Sequence, residues 1–158
     1  MITIKEATDY ILSKVCEPCR GVSPLKLQKL LYYVQSWHLA LENSTIFDGK
    51  FQAWVHGPVN REVYDRFVAE YSLYTPILFE KLTDCNSDFS RIPNEDKLFI
   101  DEVLDAYAGF SGDQLEELSH RESPWKNARV GLREGERSER YIEESDMREY
   151  YASLCKQD

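Results

Sequence analysis

Residues 23–42 read SPLKLQKLLYYVQSWHLALE, and the spacing within them decides the architecture. Ser23 stands where an N-cap is needed, and Pro24 follows at the first helical position, where its missing amide hydrogen costs nothing. Leu27, Leu30, Leu31, Val34, His38 and Leu41 then recur at i, i+3, i+4 and i+7, which predicts a long amphipathic helix at the centre of the core. Lys26, Gln28 and Lys29 lie off the leucine face. Tyr32, Tyr33 and Trp37 widen the apolar stripe, either to be covered by neighbouring helices or to line a partner groove. His38, on the apolar face, is expected to be a satisfied buried polar group rather than a ligand.

Working outward, Thr3 and Glu6 form a capping box for a first helix whose face carries Ile4, Ala7, Ile11 and Val15 and which ends near Cys16. Pro18 and Gly21 make the linker to the central helix. Downstream, Asp48-Gly49 is a favoured two-residue turn between Thr45–Phe47 and Phe51–Val55, which predicts a small hairpin. Gly57 and Pro58 interrupt it, Asn60 caps a third helix, and Val63, Tyr64, Phe67, Val68 and Tyr71 form its apolar side. Residues 72–94 are too long to be structureless in a compact domain, and Ile77, Leu78, Phe79 and Leu82 predict a local helical turn there. A fourth helix buries Phe99, Val103, Leu104 and Tyr107. Ser111 with Gln114 opens a fifth, Ser123-Pro124 a sixth, and Ser145 a last helix carrying Met147, Tyr150, Tyr151 and Leu154. The stretch VGLREGERSER at 130–140 reads as a solvated loop. The expected fold is mainly α: one compact helical domain over residues 1–158, with six to seven helices and one small β-hairpin.

A chain of 158 residues with 42% apolar content suits one core, and its apolar runs are far too short to span a bilayer. The 28 acidic and 19 basic residues give a net charge of -9, which repels phosphate backbones and attracts basic partners. Direct nucleic-acid binding and membrane insertion are therefore not expected. The N-terminus lacks the pattern of an export signal, so the expected location is cytoplasmic, with reduced thiols. Cys16 and Cys19 form a C-x-x-C, but Cys85, Cys155, His38, His56 and His120 are scattered singly, and a structural zinc site needs a second close pair. Ser119 and His120 are adjacent on a helix and point about 100° apart, the wrong geometry for a nucleophile and its base. Phosphate loops, dinucleotide fingerprints and metalloprotease motifs are missing from the sequence. No catalytic residue, metal or cofactor is expected.

Three blocks carry a resemblance. Ser23 to Tyr33 is the first; Trp54, Gly57, Pro58, Val59, Val63 and Tyr64 make the second; Leu115, Leu118 to Lys126, Ala128 and Arg129 make the third. In this order they resemble the Panacea domain, also described as the SocA-like or GepA-like antitoxin domain. The resemblance implies an antitoxin that binds and occludes a cognate toxin, without turnover, the toxin being encoded by an adjacent gene. The SocA branch of the family implies an alternative, an adaptor delivering the toxin to an ATP-dependent protease. Related domains in prophages imply another, regulation of a host protein. Some relatives carry a DNA-binding module at the N-terminus; here the domain begins almost at Met1, so autorepression by this chain alone is not expected. A tight turn displays side chains to a partner, and the expected contact surface is the corner of Trp54, His56, Gly57, Pro58 and Tyr64. An exposed side of Lys26, Lys29 and Tyr33 is expected to extend it. The charged loop from Arg133 to Arg140, with the Trp125 turn, is the competing surface.

Overall fold

Thr3 and Ser23 cap as their positions predict. The Thr3 hydroxyl accepts the Glu6 amide while the Glu6 carboxylate takes the Thr3 amide, opening α1 (Ile4–Val15). The Ser23 hydroxyl accepts the Lys26 amide at 3.2 Å and opens α2 (Pro24–Glu42). These elements are drawn from a computed structural model that describes residues 1–16 and 20–157. Pro18, expected in the linker, and Cys19, half of the C-x-x-C, lie outside the described residues. The chain continues through β1 (Gln52–Trp54), β2 (Gly57–Val59), α3 (Arg61–Phe67), a 3-10 turn at Phe79–Lys81, α4 (Asn94–Tyr107), α5 (Gly112–Arg121), α6 (Ser123–Ala128) and α7 (Glu144–Cys155). It is mainly α, as the periodicities predict, and none of its helices is long and apolar enough to cross a membrane among the described residues.

Helix α2 is the hub, packing against α1, α3, α4, α5, α7 and β2. Leu27, Leu30, Leu31 and Val34 are fully buried, each worth about 2–3 kcal/mol of apolar transfer. Leu41 departs from the expected stripe: it is 56% exposed, because the last turn of α2 runs past the core and closes on Asn43 in the left-handed conformation. His38 is partly buried, with Nδ1 2.6 Å from the Ser44 carbonyl and its ring edge-on to Phe99.

The hairpin exists, but not around Asp48-Gly49. Its register is Gln52 with Val59, Ala53 with Pro58 and Trp54 with Gly57, so Val55 and His56 form the turn. Residues 46–48 are claimed by tertiary partners instead. The Ile2 amide bonds the Ile46 carbonyl, the Asp48 amide bonds the Ile2 carbonyl, and the Asp48 carboxylate caps the Ile4 amide at 2.7 Å. From α2, the Gln35 side chain accepts the Ile46 amide and donates to the Phe47 carbonyl. A third extended segment, 140–142, joins the other side of β1: the Ala53 amide bonds the Arg140 carbonyl at 2.7 Å and the Ile142 amide bonds the Phe51 carbonyl at 2.8 Å. The loop before it is mostly solvated, as expected, and is held at Val130, whose carbonyl takes the Arg140 guanidinium, and at Glu136, whose carbonyl takes Arg129.

Two predicted caps shift by one or two residues. Glu122 and Glu143, both in extended backbone, are the N-cap residues of α6 and α7, while Ser123 and Ser145 sit inside the first turns.

Candidate partner-binding corner

The hairpin rests on polar side chains of α2. Gln28 donates to the Asn60 carbonyl at 3.0 Å and accepts the Asn60 amide at 2.9 Å, pairing with the backbone as a neighbouring strand would. Asn60 in turn caps α3 by accepting the Val63 amide and donates to the Lys50 carbonyl. Lys29 is fully buried, and its ammonium donates to the Pro58 carbonyl at 3.2 Å. Stripped of water, the amine is pushed down to about 7, partly offset by the charge of Glu116. Above it, Gly57 sits at φ +102°, and a Cβ there would lie 2.5 Å from Lys29 Cε and 2.9 Å from Ser119 Oγ. Only glycine satisfies both the backbone angle and the approach.

This burial corrects the expectation that Lys29 and Tyr33 face outward. Tyr33 has no exposed surface; its hydroxyl donates to Glu122 Oε1 at 2.9 Å and its ring stacks on Tyr107 with centroids 4.1 Å apart. Lys26 is partly buried and its amine donates to the Ala108 carbonyl at 2.6 Å, tying the start of α2 to the end of α4. Stripe reasoning supposes solvent on the face opposite the leucines, and residues 27–36 of α2 are wrapped on all sides. Tyr32 and Trp37 are covered by neighbours, the simpler of the two readings of the wide stripe.

A second set of side chains, of which the competing surface included only Trp125, grips the hairpin from α5 and α6. Trp125 Nε1 donates to the Trp54 carbonyl at 2.9 Å, and the buried Arg129 guanidinium donates to the Ala53 carbonyl at 2.9 Å and to the carbonyl of Glu136. The Trp125 ring stacks on His120 with centroids 4.2 Å apart, and the Arg129 cation lies over it at 5.0 Å. Burial lowers the pKa of His120, and its Nε2 has no hydrogen-bond partner. The Ser119 hydroxyl donates to the Glu116 carbonyl. Beneath, Glu122 accepts hydroxyls from both Tyr33 and Tyr151, and burial raises its carboxyl to about 7. Arg129 and Glu122 both stand in the third motif block, which was the available signal. Nothing in their spacing distinguishes a buried charge from a surface one.

The outer face of the corner is aromatic. Trp54, half-buried, meets Tyr64 edge-on at 4.8 Å, and the Arg61 guanidinium lies over both rings at 5.7 and 5.6 Å. Asp65 at 3.1 Å and Glu139 at 2.8 Å hold Arg61 there. Trp54 Nε1 donates to Gln52 Oε1, and Tyr141, opposite Gln52 across the 140–142 pairing, is 57% exposed. His56 is exposed in the turn, with Nδ1 2.7 Å from Glu116 Oε1. Of the expected contact residues, Trp54, His56 and Tyr64 share this surface; Gly57 and Pro58 are buried beneath it. Among the described residues, no group of three or more histidine, cysteine or acidic side chains is arranged to hold a metal ion.

The span from the hub helix through this corner is also where similarity to known proteins falls. Residues 27–126 match the family described as Antitoxin SocA-like, Panacea domain. The chain belongs to this family. The match runs from Leu27 in α2 to Lys126 in α6, so the Panacea segment contains Lys29, the hairpin, Glu122 and Trp125. Antitoxin SocA of Caulobacter vibrioides (strain NA1000 / CB15N) is 29% identical over 129 residues, covering 78% of this chain and 69% of the relative. No solved structure matches this chain. Membership in the SocA-like Panacea family points to an antitoxin role.

Proposed function

We propose that this chain neutralises a cognate protein toxin by binding it directly and covering its working surface. The observation that carries this reading is the corner itself: a partly exposed Trp54–Tyr64–Arg61 cluster on a hairpin whose backbone is held by Gln28, Lys29, Trp125 and Arg129. Aromatic and arginine side chains dominate interface energetics, and a braced backbone reduces the ordering cost of association. Lys29 and Tyr33 act in this reading as supports, and Trp54, His56 and Tyr64 as contacts. The chain works without turnover, in the cytoplasm, and without binding nucleic acid; its charge of -9 favours a basic partner over a phosphate backbone.

The test is co-expression with the protein encoded by the adjacent gene, scoring growth rescue and co-purification together. Rescue with a stable complex supports occlusion. Rescue with falling toxin abundance that depends on an ATP-dependent protease, and no lasting complex, replaces occlusion with delivery for proteolysis. Neither rescue nor complex overturns the pairing.

A further inference from the structure

The 140–142 segment is an outer strand whose free edge is unclaimed. Its two ladder bonds to β1 use the Arg140 carbonyl and the Ile142 amide. The amide and carbonyl of Tyr141, between them, therefore point away from β1, and among the described residues neither is hydrogen-bonded. An edge of this kind is a template for strand addition. Alternation of side chains places Glu139, Tyr141 and Glu143 on one side of this edge, the side that carries Gln52 and Trp54. The ion pair from Glu139 to Arg61, which lies over Trp54 and Tyr64, agrees with that placement.

The pattern of charge selects the occupant. If two copies paired edge to edge about Tyr141, Glu139 of each would stand opposite Glu143 of the other, and like charges directly across a ladder are destabilising. A segment with a cation on either side of a central apolar residue, two positions away in each direction, meets the opposite condition.

We infer that the partner adds an extended basic–x–apolar–x–basic segment as a strand along the 139–143 edge, beside the aromatic corner. This rests on the toxin-binding reading for the identity of the partner, but the edge can be tested alone. The full chain is titrated with a synthetic peptide carrying Lys-Thr-Val-Thr-Lys at its centre, and with the same peptide bearing glutamate for lysine, while exchange of the Tyr141 amide is followed by NMR. The lysine peptide is expected to slow that exchange saturably and the glutamate peptide to leave it unchanged. Tyr141→Pro removes the outward amide while leaving both ladder bonds to β1 intact, and Tyr141→Thr keeps it. Binding of the lysine peptide and of the toxin is expected to weaken about 10-fold in Tyr141→Pro relative to Tyr141→Thr, with the far-ultraviolet circular dichroism unchanged in both.

Equal affinity of the two variants for a bound toxin, with the Tyr141 amide still exchanging freely, overturns the edge and leaves toxin binding standing. Capture of the peptide without capture of the toxin leaves the edge standing and removes the toxin. Capture of neither removes both, and a dimer of the chain alone that Tyr141→Pro abolishes overturns the choice of occupant.

Discussion

Replacing Lys29 by methionine is expected to flatten the rise of stability with pH above neutrality. In the folded chain the amine is pushed from 10.5 down to about 7 by burial beneath Gly57 and Pro58. Between those two values the unfolded chain carries the proton and the folded chain does not, so unfolding takes up a proton and becomes harder as pH rises. The slope approaches about 1.4 kcal/mol per pH unit. Starting half-titrated at about pH 7, Lys29 adds about 2 kcal/mol of stability by about pH 9. Below about pH 7 both states are protonated and the destabilisation is constant. Methionine fills a similar volume with no proton to bind; it forfeits the bond to the Pro58 carbonyl, about 1 kcal/mol at any pH, and removes the constant penalty of the buried charge below about pH 7, neither of which restores the slope. Glu122, raised to about 7 by burial with no contribution from Lys29, is common to both chains and cancels in the comparison. The assay is urea unfolding at about pH 7 and about pH 9, comparing the midpoint shift in the two proteins. Parallel shifts would refute the burial argument and mean that Lys29 keeps a hydrated path for its charge.

Glu122→Gln is expected to remove the opposite dependence. The folded carboxyl is raised from 4.5 to about 7, so the folded chain holds a proton that the unfolded chain has lost. Native stability thus falls by about 3 kcal/mol as pH rises through that window, which urea midpoints at about pH 4.5 and about pH 7 will read in the native chain and not in the variant. Gly57→Ala is expected to cost about 2–4 kcal/mol, from strain at φ +102° and the clash with Lys29 Cε, seen as a fall in Tm. Trp54→Ala is expected to weaken toxin binding by about 2 kcal/mol, measured by calorimetry, with the helical circular dichroism unchanged.

What the sequence made legible is what local rules decide. The caps at Thr3, Ser23, Asn60 and Ser111 each bond an amide three residues on, so a short window contains the donor and the acceptor together. The leucine stripe of α2 was legible for the same reason. The hairpin register was not, because Asp48-Gly49 is a good turn on its own, and it loses to partners at Ile2 and Gln35 that lie 46 and 13 residues away from Asp48 in number. Lys29 was misplaced by a rule that is sound for a surface helix and fails where a helix is enclosed on every side. The same enclosure explains why the motif blocks did not separate scaffold from contact. Within a single block Lys29, Gln28 and Tyr33 turn inward to hold backbone or carboxylate, and within the next Trp54 and Tyr64 turn outward while Gly57 and Pro58 lie beneath them. A family signature records that both sets of residues are present. Which of them faces a partner is decided by the direction each side chain takes from its element, and that direction depends on contacts far apart in the chain.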